Sequence, residues 1–413
     1  MVRDGAHHLV FFSDCAYYAG AEAYVGMLAE AAPANWRLSA MTPEGKAGEG
    51  LARRLEKAGV RVARFRPPSW SHPGGWSAID RQLRSFGGDR LHLNLPSVYD
   101  SAYSIPAFLA KRAGYRRVVT TEHLPMVLRA RRRMLVKMLT TTAVDAVIVH
   151  TAWNRERLAH YHHVPLKKIV IIPNGSAEAP ALSREERDRL RAQWGAGAHT
   201  RVAAVVARLT ERKGHRVLFE ALATQALPEW RLWVVGEGEE EGALREQARR
   251  LGLADRVAFL GFQENAREII HACDLLVLPS MMETQPLVIT EAMASARPVI
   301  ATAIYGIPEI VADGVTGCLV PPNEAAPLAQ AIGRLLADRD LAERMGRAGR
   351  ERYERHFTLA RMAERTYRVI AGGDSGWESS VSGEAGRTVE QAAREAGRTT
   401  EAAAGGVETG RAR

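Results

Sequence analysis

Two glutamates, Glu283 and Glu291, stand eight positions apart in the stretch SMMETQPLVITEAMASARP (280–298), with Pro286 between them. On one continuous helix, eight steps of roughly 100° leave two side chains about 80° apart, a poor match to a single face. Proline suits the first helical turn and not the interior, so a helix is predicted to start near Pro286. Glu283 then lies in the loop before it and Glu291 in its second turn. Both carboxylates reach a ligand docked at the helix N-terminus, where free N–H groups and the positive dipole end also point. The alternative is a pair of solvated surface charges.

Other residues of the right type recur at strand-to-helix junctions. In VARLTERKGH, Arg208 ends a strand and Lys213 precedes a helix. Two cations there suit a diphosphate, each charged hydrogen bond being worth ~1.5–3 kcal/mol; the other reading is an exposed basic loop. Gly20 follows the first strand in SDCAYYAGAEAY, where a missing side chain lets backbone N–H groups approach an anion. Gly236 and Gly238 in VVGEGEEE form a similar turn, and Gly261 and Phe262 in FLGFQEN offer backbone to a nucleobase edge. A carboxylate suits the paired hydroxyls of a ribose or hexose. The G-x-G-x-x-G dinucleotide fingerprint is absent.

Alternating strands and helices must position these residues. HHLVFFSD, WRLSAMTP, VRVARF, RLHLNLP, RRVVTTEH and AVDAVIVHT read as strands with helical stretches between them, closing with IVIIPNG at 169–175. A second series opens with RVAAVVARL and continues through WRLWVVGEG, RVAFLGF, CDLLVLPS and PVIATAI. Polar helix formers near 183–200 separate the halves. The pattern is that of βαβ units on parallel sheets, hence two doubly wound α/β domains joined near residue 180, with ligands beyond the carboxyl ends of the strands. A chain of 413 residues is long enough for two cores. The junction residues of the second series (Arg208, Lys213, Gly236, Gly238, Gly261 and Phe262) and the glutamate pair all fall on one strand edge of the second domain.

Bulk properties narrow the function. No apolar run approaches the ~20 residues that span a bilayer, and the start does not read as a signal peptide. Cys15, Cys273 and Cys318 are scattered and odd in number, which suits small core residues in a reducing cytoplasm. The net charge is +9. With no zinc-finger spacing and no aromatic RNA-binding signature, nucleic acid is not an expected partner. The densest basic cluster, RARRRMLVK (Arg129, Arg131, Arg132, Arg133, Lys137), is either a solvated helix face or a peripheral membrane contact. The Asp-x-Asp at 338–340 lies in a late helical region and reads as surface. Residues 373–413 are rich in Gly, Ala, Ser, Thr and Glu and cannot bury enough apolar area to fold alone.

In order, AGAE, RLTERKG, GEGEEE, FLGF, ETQPLVITEAMA, PVIAT and GIPEIVADGVTGCLVPP resemble a retaining glycosyltransferase of family 4, over roughly residues 8–370. The resemblance implies an α/β GT-B fold, two Rossmann-like doubly wound domains facing a central cleft. Residues 1–180 would form the acceptor domain, 181–355 the nucleotide-sugar domain, and 356–372 a closing helix that crosses back. It implies that Arg208 and Lys213 hold the donor diphosphate, that Glu291 binds the ribose hydroxyls, and that Glu283 contacts the transferred sugar. Gln285, Pro286, Leu287 and Val288 would line sugar and phosphate through their backbone, Gly20 would close the phosphate site, and Gly236 and Phe262 would border the donor. His123, in TTEHLP, matches a histidine the family places beside the sugar. The chain departs from the family at Ala19-Gly20, where a double glycine is usual, at Thr284 and Gln285 after the first glutamate, and at His150, where serine is common.

The implied reaction moves a hexose-type sugar from a UDP-sugar, or a GDP-sugar, to a small-molecule or lipid acceptor, with retention of configuration and no metal or other cofactor. Asn94, Ser97, Tyr99 and Asp100 in LNLPSVYD are candidates to shape the acceptor pocket. A sugar-nucleotide epimerase of the same fold and a non-catalytic nucleotide-sugar-binding protein are the alternatives.

Overall fold

The computed structural model describes residues 7–14, 20–68, 74–95, 105–124, 131–180, 182–226 and 229–376. The chain divides into two compact units. One runs to Asn174 and takes up the chain again from Leu359; the other holds Gly175–Thr358.

The first unit follows β1 (His7–Ser13), α1 (Gly20–Glu30), β2 (Trp36–Pro43), α2 (Lys46–Lys57), β3 (Arg61–Phe65), α3 (Gly74–Phe86) and β4 (Arg90–Leu95). It continues with α4 (Ile105–Arg112), β5 (Arg117–Glu122), α5 (Arg131–Thr142), β6 (Ala146–Val149), α6 (Ala152–His162) and β7 (Ile169–Ile171). The sheet order is β3-β2-β1-β4-β5-β6-β7, every pairing parallel. Leu9–Phe12, Leu91–Leu95 and Val118–Glu122 are buried on both faces, as parallel strands covered by helices must be.

The second unit contains α7 (Arg184–Gln193), β8 (Arg201–Val206), α8 (His215–Ala223), β9 (Trp230–Val235), α9 (Glu241–Arg250), β10 (Val257–Gly261), α10 (Ala266–Ala272) and β11 (Leu275–Leu278). It ends with α11 (Leu287–Ala294), β12 (Val299–Thr302), α12 (Ile307–Ile310), β13 (Gly317–Val320), α13 (Ala325–Ala337) and α14 (Arg339–His356). Its parallel sheet runs β10-β9-β8-β11-β12-β13. One face packs Leu218, Phe219, Leu232, Val234, Leu244, Leu328 and Ile332; the other packs Val202, Ala204, Trp233 and Ile269.

Residues 183–200, read from sequence as polar helix formers between the halves, build α7 and join the second unit. Ser183 Oγ accepts from Glu186 N, and the Glu186 carboxylate accepts from Ser183 N, a reciprocal cap. Leu190, Trp194 and Ala196 then pack into the core of the second unit. Asp338 accepts from Leu341 N, so the late Asp-x-Asp caps α14. The last helix, α15 (Leu359–Ala371), belongs to the first unit. Tyr367 Oη donates to the Leu28 carbonyl at 2.8 Å, Arg117 Nε to the Val369 carbonyl at 2.8 Å, and Arg90 Nε to the Ile370 carbonyl at 3.1 Å.

Candidate functional site

In each sheet the strand order reverses once, between β1 and β4 and between β8 and β11. At such a reversal the flanking loops leave in opposite directions and open a crevice at the carboxyl ends. Within the second unit that point receives the loop after β8, with Arg208 and Lys213, and the loop after β11, with Glu283.

These two loops are knitted together. Met281 N donates to the Arg212 carbonyl at 2.8 Å, and Arg212 Nη1 to the Met282 carbonyl at 3.3 Å. Lys213 Nζ is ion-paired with the Glu283 carboxylate, and both side chains are only 13% exposed. Gly214 follows with φ +70°, and a Cβ there would lie 2.0 Å from the Pro279 carbonyl, so only glycine lets the loops touch. Pro286 is the N-cap of α11, which starts at Leu287. Glu291 therefore sits in the second turn, partly buried; burial pushes its carboxyl up, and Arg267 opposes that. Thr284 and Gln285 are buried, while Pro286, Leu287 and Val288 are partly exposed.

Arg208 lies 3.7 Å from Glu239, both well exposed. Gly236 makes the close backbone approach expected of it. Its N–H donates to the Gly261 carbonyl at 2.8 Å, and a Cβ would stand 2.0 Å from the Ala207 carbonyl. Gly238 likewise faces the Leu209 carbonyl. These glycines let neighbouring loops pack backbone to backbone. Phe262 N donates to Glu237 Oε1 at 3.3 Å, and the ring is 66% exposed, a free aromatic face at the same sheet edge.

Within the first unit, Gly20 is the first residue of α1 and exposed; Ala19 lies outside the described residues. His123 follows β5, and both ring nitrogens are engaged: Nε2 with Asn94 Oδ1 at 2.8 Å and Nδ1 with His150 Nε2 at 3.0 Å. Asn94, a candidate acceptor contact by sequence, is instead fully buried, with its amide committed to His123, Ser13 and Ala21. Ser97, Tyr99 and Asp100 lie outside the described residues. His150 was legible only as a departure; its contact with His123 depends on β6 lying beside β5, which sequence spacing does not reveal.

The basic cluster also changes. Lys137 is 4% exposed and ion-paired with the Glu122 carboxylate, so it is part of the interior. The outward face of α5 carries Leu135, Met138 and Leu139. The side chains of Arg129 and Arg131–Arg133 lie outside the described residues. Among the described residues no group of three or more His, Cys, Asp or Glu converges as a metal site, and no helix is long and apolar enough to cross a membrane. Cys273 is buried, which pushes its thiol up to about 12, and Cys318 is partly buried.

Two parallel sheets of this order define the GT-B class. The solved structure of Anabaena HepE in complex with UDP superposes with a TM-score of 0.77 at 22% identity, covering 88% of this chain and 99% of that one. The description "Glycosyltransferase Family 4" fits residues 18–176, and "Glycosyl transferases group 1" fits residues 186–352. The chain belongs to the family 4 glycosyltransferases. It is similar to the lipopolysaccharide core biosynthesis glycosyltransferase LpsE of Rhizobium meliloti, 33% identical over 55% of this chain and 64% of that protein. It is also similar to the D-inositol 3-phosphate glycosyltransferase of Corynebacterium aurimucosum, 34% identical over 58% of this chain and 59% of that protein. The chain thus spans less than two thirds of the length of these relatives.

Proposed function

We propose that this protein transfers a hexose-type sugar from a nucleotide-diphosphate sugar to a hydroxyl of a small-molecule or lipid acceptor, with retention of configuration and without a metal. The observation that carries this reading is the Lys213–Glu283 pair held between two loops at the strand reversal of the second sheet, beside the start of α11. Donor phosphate would draw Lys213 away from Glu283, freeing the carboxylate for sugar hydroxyls. Arg208 and Lys213 would then offset charge developing on the leaving diphosphate, the work a divalent cation does elsewhere. Glu291, at the second turn of α11, would take the ribose hydroxyls. Same-face attack follows if the leaving phosphate accepts the acceptor proton, because the remaining carboxylates are given to sugar recognition.

A UDP-sugar is favoured as donor, since the HepE structure was obtained with UDP, and a GDP-sugar is the competitor. The relatives point to two acceptor classes, a lipopolysaccharide core and an inositol phosphate. With a lipid acceptor, the apolar outward face of α5 would rest on the bilayer.

Incubation with a panel of nucleotide sugars and both acceptor classes, in excess chelator, tests the reading. The expected product keeps the donor's anomeric configuration, and Lys213→Ala lowers kcat/KM about 10- to 100-fold, the equivalent of ~1.5–3 kcal/mol. Inversion would sink the retaining mechanism, and loss of turnover on chelation would sink metal independence. If no donor is bound or turned over by the wild type, the reading fails as a whole.

A further inference from the structure

His123 and His150 meet at the carboxyl ends of β5 and β6, with His123 Nδ1 3.0 Å from His150 Nε2. The outer nitrogen of each ring faces an acceptor. His150 Nδ1 lies 3.0 Å from the Ile172 carbonyl, an oxygen that only accepts, so Nδ1 carries a hydrogen. His123 Nε2 lies 2.8 Å from Asn94 Oδ1. The orientation of that amide is set at its other end, where Nδ2 donates to the Ala21 carbonyl at 3.1 Å and to Ser13 Oγ at 3.2 Å. Turning the amide over would press its oxygen against the Ala21 carbonyl. Oδ1 therefore accepts, and His123 Nε2 carries a hydrogen as well.

Each neutral imidazole has one N–H, and here both are spent outward. Two neutral rings would then point lone pairs at each other across the 3.0 Å gap. One extra proton on that line converts the repulsion into a charge-assisted hydrogen bond. We propose that His123 and His150 bind one proton between them as a unit, and that His150 is a positioning residue that fixes the His123 ring through that proton.

The surroundings set when the proton is held. Tyr24 of α1 packs edge-on to both rings, at 5.1 and 5.5 Å, and its hydroxyl meets Thr121 of β5 and Thr366 of α15. His92 of β4 bonds to Thr121 and is pushed down to about 3 by burial, so it stays neutral. Asn154 of α6 donates to the His123 carbonyl at 3.4 Å. The nearest carboxylate along the chain, Glu122, is paired with Lys137. Burial pushes His123 well below the usual imidazole range, with His150 and His92 adding to it. Burial pushes His150 down to about 4, and the Ile172 carbonyl opposes that. The shared proton therefore leaves on the acid side of neutrality.

The effect on rate rests on the proposed transferase function; the proton itself does not. The test is an NMR titration of the full chain with 15N-labelled histidine, from about pH 8 down to the lowest pH at which circular dichroism still reports the native fold. The rings of His123 and His150 are expected to shift together in one step worth one proton, with His92 shifting only below that step. In His150→Gln, whose amide still donates to His123 Nδ1 but does not titrate, that step disappears. The acid-side step in the pH profile of kcat/KM disappears with it. Two separate steps, or no proton uptake while circular dichroism reports an intact fold, overturn the proposal. A wild-type chain that transfers no sugar leaves the titration result standing, so the two failures are distinguishable.

Discussion

Glu291 has an ordinary pKa of 4.5, and burial raises it in the folded chain. The folded state therefore favours the protonated form. Stability is greatest below the ordinary value and falls as pH rises through the raised one, so the full cost is present at neutral pH. Glu291→Gln removes that cost together with the charge that would recognise ribose. The variant is expected to melt no lower than wild type at about pH 7 and to gain nothing at about pH 4. Its nucleotide affinity is expected to fall about tenfold or more, read by calorimetry. Unchanged affinity would remove Glu291 from the donor site. At this scale the sequence was informative where chemistry is local. Pro286 between two glutamates gave the placement of both. His150 could be noted only as an odd residue, because its partner lies 27 positions away, just past the end of a neighbouring strand.

Elements show the same division. α11 was readable because proline marks its first turn, and the buried strands because parallel sheets demand continuous apolar runs. The packing of α7 was not, since its composition is polar and only a few side chains, Leu190 and Trp194 among them, reach the core. The glycines after β9 read as a close-approach turn, and their absent side chains make room for the carbonyls of Ala207 and Leu209. Composition reports that a close approach is needed; only packing reports to what. Gly214, at the start of α8, makes this testable. Alanine there meets both a left-handed φ and the Pro279 carbonyl at 2.0 Å. Gly214→Ala should cost at least ~2 kcal/mol, seen as a lower urea midpoint. A wild-type midpoint would mean the two loops are not held together as described.

For the whole molecule, the net charge of +9 suits an anionic surface. Burial of Lys137 removes one cation from the proposed membrane contact and leaves Leu135, Met138 and Leu139 as the described part of its outer face. Binding to anionic vesicles is therefore expected to persist partly at high salt and to fall when Leu135 and Leu139 are both changed to Ser. Vesicle binding that neither high salt nor the double change alters would place the membrane contact away from α5, and no binding at all argues for a soluble acceptor.

The return of α15 to the first unit carries a consequence for how the protein is made. Tyr367 covers Leu28 and meets Trp36 edge-on with ring centroids 4.9 Å apart, so a surface of α1 and β2 is closed by residues more than three hundred positions later. On the ribosome, the first unit emerges early but stays one helix short until the whole second unit has been synthesised. Until then that flank lacks its covering helix, and the order of completion is the reverse of the order of emergence.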